Sequence, residues 1–189
     1  MSRQSHAVVT PPSAEPVSVP EVQTHLRIDS DADEDLVSAL AVAAREWCEA
    51  ATNRQFCTAT LCSKLSGFPS EGAITLPRAP ASAVTSITYL DSAGASQTLT
   101  PSAYVLAADL APAEVSLAPG ASWPATADRP DAVTVTYTAG YGGPAAVPQP
   151  LRAAILLKCQ ALYDRDPKEA EMLEQAARSL LGPYRVHYF

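Results

Sequence analysis

The sequence is short of charge: 13 Lys+Arg and 20 Asp+Glu make 17% of 189 residues, against about 25% in ordinary globular domains. The net charge is −7 and no basic stripe exists, which excludes a general DNA or RNA binder, because affinity for phosphates comes from Lys and Arg. Long apolar runs are missing too. Aliphatic stretches such as Ala153-Ala154-Ile155-Leu156-Leu157 fall far short of the ~20 residues a membrane helix needs. The start, Met-Ser-Arg-Gln-Ser-His, lacks the apolar core of a secretory leader. Four cysteines (Cys48, Cys57, Cys62, Cys159) make no CxxC pair, so they read as reduced thiols rather than a disulfide frame or zinc site. Histidines are few: His6, His25 and His187 never fall at H-x-x-H or H-E-x-x-H spacing.

What is plentiful is apolar side chains and proline. Hydrophobic residues reach 47%, and 17 prolines are about twice the usual share of ~5%. A core can form, but a long continuous helical bundle cannot. Residues 1–20, with Pro11, Pro12, Pro16 and Pro20, predict an extended N-terminal arm. A single domain then spans 21–181, and 182–189 is an extended C-terminal tail.

Inside that domain the hydrophobic period changes twice. Residues 31–52 predict a helix with Asp31 as N-cap and Glu34 completing a capping box. Its stripe is Leu36, Leu40, Ala44, Trp47 and Ala51, and Trp47 is expected in the core against the helices at 151–181. Arg45 and Glu49 pair at i,i+4 on the opposite side, and Asn53 is a left-handed stop. Over 55–142 the pattern turns to short strands: 56–65, 73–76, 84–90, 96–100, 104–107, 114–117 and 133–138. The prolines fall at their ends and edges. Two helices follow. The first, over 151–164, carries Leu151, Ile155, Cys159 and Leu162 on one face. The second, over 168–181, turns Leu173, Ala176, Ala177 and Leu180 inward and stops at Gly182-Pro183. The fold class is α+β: a helical core with an inserted small antiparallel β unit. The core residues are Leu36, Leu40, Ala44, Trp47, Ile155, Leu162, Leu173 and Leu180.

Chemical motifs fail one by one. Asp29-Ser30-Asp31-Ala32-Asp33 opens like a calcium loop, but Glu34 stands where Gly is needed and Leu40 where a bidentate Glu is needed. Gly140-Tyr141-Gly142-Gly143-Pro144-Ala145 fits G-x-G-x-x-A, yet prolines 144, 148 and 150 keep the chain extended where a phosphate-binding helix should begin. No G-x-S-x-G elbow and no Cys–His pairing appears. A small enzyme would have to assemble a site from scattered residues such as Tyr163, Asp164, Arg165 and Asp166. No catalytic residue, cofactor or metal is assigned. The charge is uneven: residues 31–60 are net acidic and 151–189 slightly basic, a polarity a ring or stack can use to meet a neighbour.

The order of landmarks carries a resemblance. Pro16-Val17-Ser18-Val19-Pro20-Glu21-Val22 leads to His25-Leu26-Arg27-Ile28-Asp29, the acidic helix start, Ala43-Ala44-Arg45-Glu46-Trp47 and Thr52-Asn53-Arg54. Later come Ile74-Thr75-Leu76-Pro77-Arg78-Ala79-Pro80, Trp123-Pro124, Ala139-Gly140-Tyr141-Gly142 and Leu181-Gly182-Pro183-Tyr184-Arg185. Together these resemble the head–tail connector (adaptor) family of long-tailed phages, prophages and gene transfer agents, over about 16–187. The resemblance implies a structural subunit of a dodecameric homo-oligomeric ring in a particle neck, made in the bacterial cytoplasm. The ring docks on a portal protein, carries a stopper or tail terminator, and lines part of the channel through which DNA passes as cargo. The tail, with Tyr184, Arg185, Val186, His187, Tyr188 and Phe189, is the expected portal-binding segment.

Overall fold

A computed structural model describes residues 4–28, 34–164 and 166–187. The chain divides into two compact units. Residues 4–12 and Thr58–Gly140 build a sheet unit; Ser13–Cys57 and 141–187 build a helical unit.

Among its described residues the sheet unit contains eight strands. β1 is Gln4–Thr10, β2 Ala59–Leu65, β3 Ile74–Leu76, β4 Ala81–Leu90, β5 Ser96–Thr98, β6 Tyr104–Ala107, β7 Ala113–Leu117 and β8 Val133–Ala139. Five form one antiparallel sheet in the order β1-β2-β8-β4-β5, and three form a second in the order β3-β7-β6. In β8 every second residue (Val133, Val135, Tyr137, Ala139) is buried, as a period of two with one covered face requires. Leu61, Ile74, Leu76, Ile87 and Val115 complete this core, and the Tyr137 hydroxyl donates to the Pro77 carbonyl. The N-terminal arm differs from its reading as a separate extended segment. Gln4–Thr10 is a strand on the edge of β2. All seven of its residues are exposed, so backbone pairing rather than burial sets its conformation, and its side chains carry no alternating signal.

The helical unit holds α1 (Val19–Leu26), α2 (Glu34–Thr52), α3 (Gln149–Tyr163) and α4 (Pro167–Leu181). The expected cap Asp31 lies outside the described residues. The capping box occurs instead on α1, where Ser18 accepts from the Glu21 N–H and the Glu21 carboxylate accepts from the Ser18 N–H. Asn53 stops α2 in the left-handed region (φ 54°).

The core of this unit corrects the reading of the α2 stripe. The buried face is Val37, Ala41, Ala44, Cys48 and Thr52, with Arg45 and Glu49 beside it. That is the expected stripe moved by one residue, or about 100° around the helix. Ala44 and Ile155 are fully buried, as expected. Leu36 is 49% exposed and Leu162 is 43% exposed, so neither is core. Leu40 and Leu173 are half-buried, and Trp47 and Leu180 pack half-buried on the rim of the cluster. Both exposed leucines lie at the end of the unit where α2 begins and α3 stops, beyond the residues that fill its centre.

Candidate functional site

The tail does not project from the helical unit as an extended segment. After α4 it makes one 3-10 turn, Gly182–Tyr184, and then returns to the end of α2. The last carbonyls of any helix lack partners within it, and here the tail supplies donors. Val186 N–H donates to the Thr52 carbonyl at 2.9 Å, and Arg185 Nε donates to the Ala51 carbonyl at 3.0 Å. In return Asn53 Nδ2 donates to the Val186 carbonyl at 2.9 Å and Arg54 Nε to the Tyr184 carbonyl at 2.6 Å. Val186 is 3% exposed and Tyr184 packs on the helical core. Tyr184 and Val186 therefore face their own subunit. Arg185 and His187 remain exposed, and Tyr188 and Phe189 lie outside the described residues.

The pairing of Arg45 with Glu49 is present but buried. Arg45 Nη1 meets Glu49 Oε2 at 2.8 Å, and Arg45 Nε meets Glu15 Oε2 at 2.7 Å, clasping the chain before α1 to α2. Glu49 Oε1 accepts from Gln55 Nε2 and from the Phe56 N–H, both at 2.8 Å. Burial opposes the Arg45 charge, but the two carboxylates outweigh it and hold its pKa above the ordinary value. Every polar atom named here has a partner, the condition under which a buried ion pair is tolerated. This is a structural clasp.

Trp47 lies between two cations. Lys158 Nζ is 4.6 Å from its ring centre and the Arg178 guanidinium 4.7 Å. Glu174 bridges both cations, at 2.7 Å and 2.8 Å, and these bonds, Lys158 first, hold its carboxyl below the usual range. The arrangement ties α2 to α3 and α4.

Of the residues considered for catalysis, Tyr163 and Asp164 stand on one open groove. Asp166 caps α4 by accepting from the Lys168 N–H, and Asp164 accepts from the Asp166 N–H. Tyr163 is 42% exposed, and Arg165 lies outside the described residues. Burial raises the Cys48 and Cys159 thiols to about 12 and Cys57 to about 11, the opposite of what a nucleophile needs. Among the described residues no group of three or more His, Cys, Asp or Glu could hold a metal. In the glycine motif, Gly140 and Gly142 have φ 127° and 130°. The chain then makes a 3-10 turn before Pro148 opens α3, so no helix N-terminus faces that loop.

Two surface features lie at the opposite ends of α2. One is an open groove of about 1210 Å³ where α1 ends, α2 begins and α3 stops, walled by Leu26, Leu36, Leu40, Leu162 and Tyr163. His25 Nε2, also on this groove, is buried without a hydrogen-bond partner among the described residues. The other is a small cleft at the far end of α2 and α4, between Arg178 and Arg185. Sequence periodicity missed the groove because it counted its leucines as core.

Residues 17–92 match the family model described as phage gp6-like head-tail connector protein. This match and the likeness to the neck structures below support a structural connector subunit of a phage-like particle. None of the curated proteins matches in a sequence comparison. Solved structures agree over the whole length. A protein from the neck of an empty gene transfer agent (GTA) particle computed with C6 symmetry is 25% identical, with TM-score 0.80 over 98% of this chain and 97% of that one. One from the neck of a native GTA particle computed with C12 symmetry is 26% identical, with TM-score 0.74 over 99% and 97%. A chain from the virion of a native GTA particle, 24% identical with TM-score 0.75 over 97% and 96%, shares the fold.

Proposed function

We propose that this chain forms a homo-oligomeric ring of twelve copies in the neck of a phage-like particle, between the portal protein and a stopper or tail terminator. DNA passes through the ring as cargo. The observation that carries the reading is the end-to-end match to neck proteins, with both chains covered almost completely. The twelvefold count rests on the C12 symmetry of one related neck. The net charge of −7 supports the conduit role, because a wall rich in Lys and Arg would hold the passing duplex. Synthesis in the bacterial cytoplasm is part of the same reading.

The portal contact narrows to His187, Tyr188 and Phe189, since Tyr184 and Val186 are engaged with α2 and the core. Removing residues 187–189 leaves the Val186 staple in place. The expected outcome is an unchanged thermal midpoint with co-sedimentation on portal rings lost. A truncated chain that still co-sediments would remove the tail from the portal contact. The ring itself is tested by imaging the protein bound to portal rings, where twelve copies per portal are expected.

A further inference from the structure

The helical unit has two chemically opposite ends. At the groove end Leu36, Leu162 and Tyr163 are each more than 40% exposed. Glu34 and Asp35 open α2 one turn from them, and Asp164 stands on the groove. The carboxyl of Glu169 is pushed above its usual range by Asp164 first and by Asp166, so carboxylates outnumber cations at this end, although Arg27 also lines the groove. At the other end Arg178 and Arg185 flank the cleft floored by Ala51 and Leu181. Arg178 is 54% exposed at its side chain, and Arg185 is exposed. The 19 residues of α2 run from one end to the other, a separation of about 28 Å, so one copy cannot join its own ends.

We propose that the acidic, leucine-lined groove end of one copy seats on the Arg178–Arg185 end of the next, so that copies associate head-to-tail through the helical unit. This rests on the ring reading and names the surfaces that would build it. A ring of more than two copies needs two different, complementary patches on each subunit. Here the patches carry opposite charge. The apolar groove supplies buried area, and the charges supply register and partner choice. The contact weakens with salt, because its charges are exposed before association.

The test uses the full chain and two variants. Leu36→Glu with Leu162→Glu disables the groove; Arg178→Glu with Arg185→Glu disables the cleft. Light scattering coupled to size exclusion should show oligomers for the wild-type chain and monomers for each variant alone. Mixing the variants should give heterodimers and nothing larger, because each retains one intact end. Tyr163→Asp and Arg185→Ser, single changes at exposed side chains, form a second pair should either double variant lose its thermal transition. Wild-type rings that survive both sets of substitutions would keep the ring reading and discard this interface. A mixture that stays monomeric, or a wild-type chain that never exceeds a monomer at its highest soluble concentration, overturns the head-to-tail contact. Imaging on portal rings then decides the ring reading separately.

Discussion

The two units solve burial differently. In β2 and β8 of the sheet unit the side chains sort by a period of two, and among the described residues the buried set of that unit is apolar except for the Ser63 hydroxyl and the Tyr137 hydroxyl on the Pro77 carbonyl. The helical unit buries a guanidinium and a carboxylate at the centre of its clasp, while leucines of comparable size stay in water at its end. A sheet face is either covered or open along its whole length, so apolar residues fall on the covered side. A helix face wraps gradually, so one helix can serve a core, a clasp and an outward surface at once. Both units keep large apolar side chains in water, Val105 and Leu110 in the sheet unit and Leu36 and Leu162 in the helical unit, but those leucines of the helical unit gather on one groove.

The sharpest way to break that contrast is to open the clasp. Glu49→Ala leaves Arg45 buried beside a lost partner, and the Gln55 amide and Phe56 N–H lose their acceptor. The expected cost is about 3–5 kcal/mol. The nearest equivalent in the sheet unit, Tyr137→Phe, removes one hydroxyl from a carbonyl and should cost about 1–2 kcal/mol. Trp47 lies in the helical unit and Trp123 in the sheet unit, so single-tryptophan versions report each unit separately in a denaturant titration. Equal losses from the two substitutions would erase the distinction between a charged clasp and an apolar core.

The same contrast explains what the sequence reveals. The strands of the sheet unit are legible because alternation in Val133-Thr134-Val135-Thr136-Tyr137-Thr138 has only one covered phase. On α2 apolar residues fill more than one stripe. Leu36-Leu40-Ala44-Trp47 and Val37-Ala41-Ala44-Cys48 both satisfy helical spacing, and periodicity alone does not choose between them. Tertiary packing chooses the second and leaves Leu36 to the groove. β1 is invisible to patterning because neither of its faces is covered. The tail staple is invisible because its partners, Thr52 to Arg54, lie about 130 positions away. The likeness to phage head–tail connectors, by contrast, is legible from the order of short landmarks along the chain.

Alkaline pH separates the units by a smaller amount. Cys48, Cys57 and Cys159 lie in the helical core. Their folded pKa values, about 12, about 11 and about 12, stand above the ordinary value of 9.0, with burial as the first cause. A pKa raised by folding means that the unfolded chain releases its protons first. The stability these thiols contribute is whole below pH 9 and declines as pH rises toward 11 and 12, by at most about 1.4 kcal/mol per pH unit per thiol. The Trp47 signal should therefore lose stability faster than the Trp123 signal above pH 9. Cys48→Ala with Cys159→Ala should flatten that slope. Parallel declines in both signals, unaltered by the double substitution, would show that the thiols are not what titrates.

The smallest effect concerns Trp47. A fully buried aromatic truncated to a small residue costs about 3–5 kcal/mol, but Trp47 is only half-buried, and its faces meet Lys158 and Arg178. Leucine would replace much of its apolar area while abolishing both cation–ring contacts, so Trp47→Leu should cost about 1–3 kcal/mol. A packing role and a cation-binding role predict similar single-mutant losses, and a double-mutant cycle distinguishes them. Arg178→Met keeps the aliphatic stem over the ring and removes the charge. If the ring holds the guanidinium, Trp47→Leu and Arg178→Met should be coupled by about 0.5–1 kcal/mol. Glu174 sharpens the measurement, because its carboxylate holds both cations in place and its pKa is depressed by folding. A depressed carboxyl pKa adds stability above the ordinary value of 4.5, and that stability is lost as pH falls through the folded value. The Trp47–Arg178 coupling should accordingly shrink below pH 4.5, as protonated Glu174 releases Arg178 from the ring. Coupling near zero at neutral pH would make Trp47 an ordinary packing residue and leave the Glu15–Arg45–Glu49 clasp as the main charged device in the helical unit.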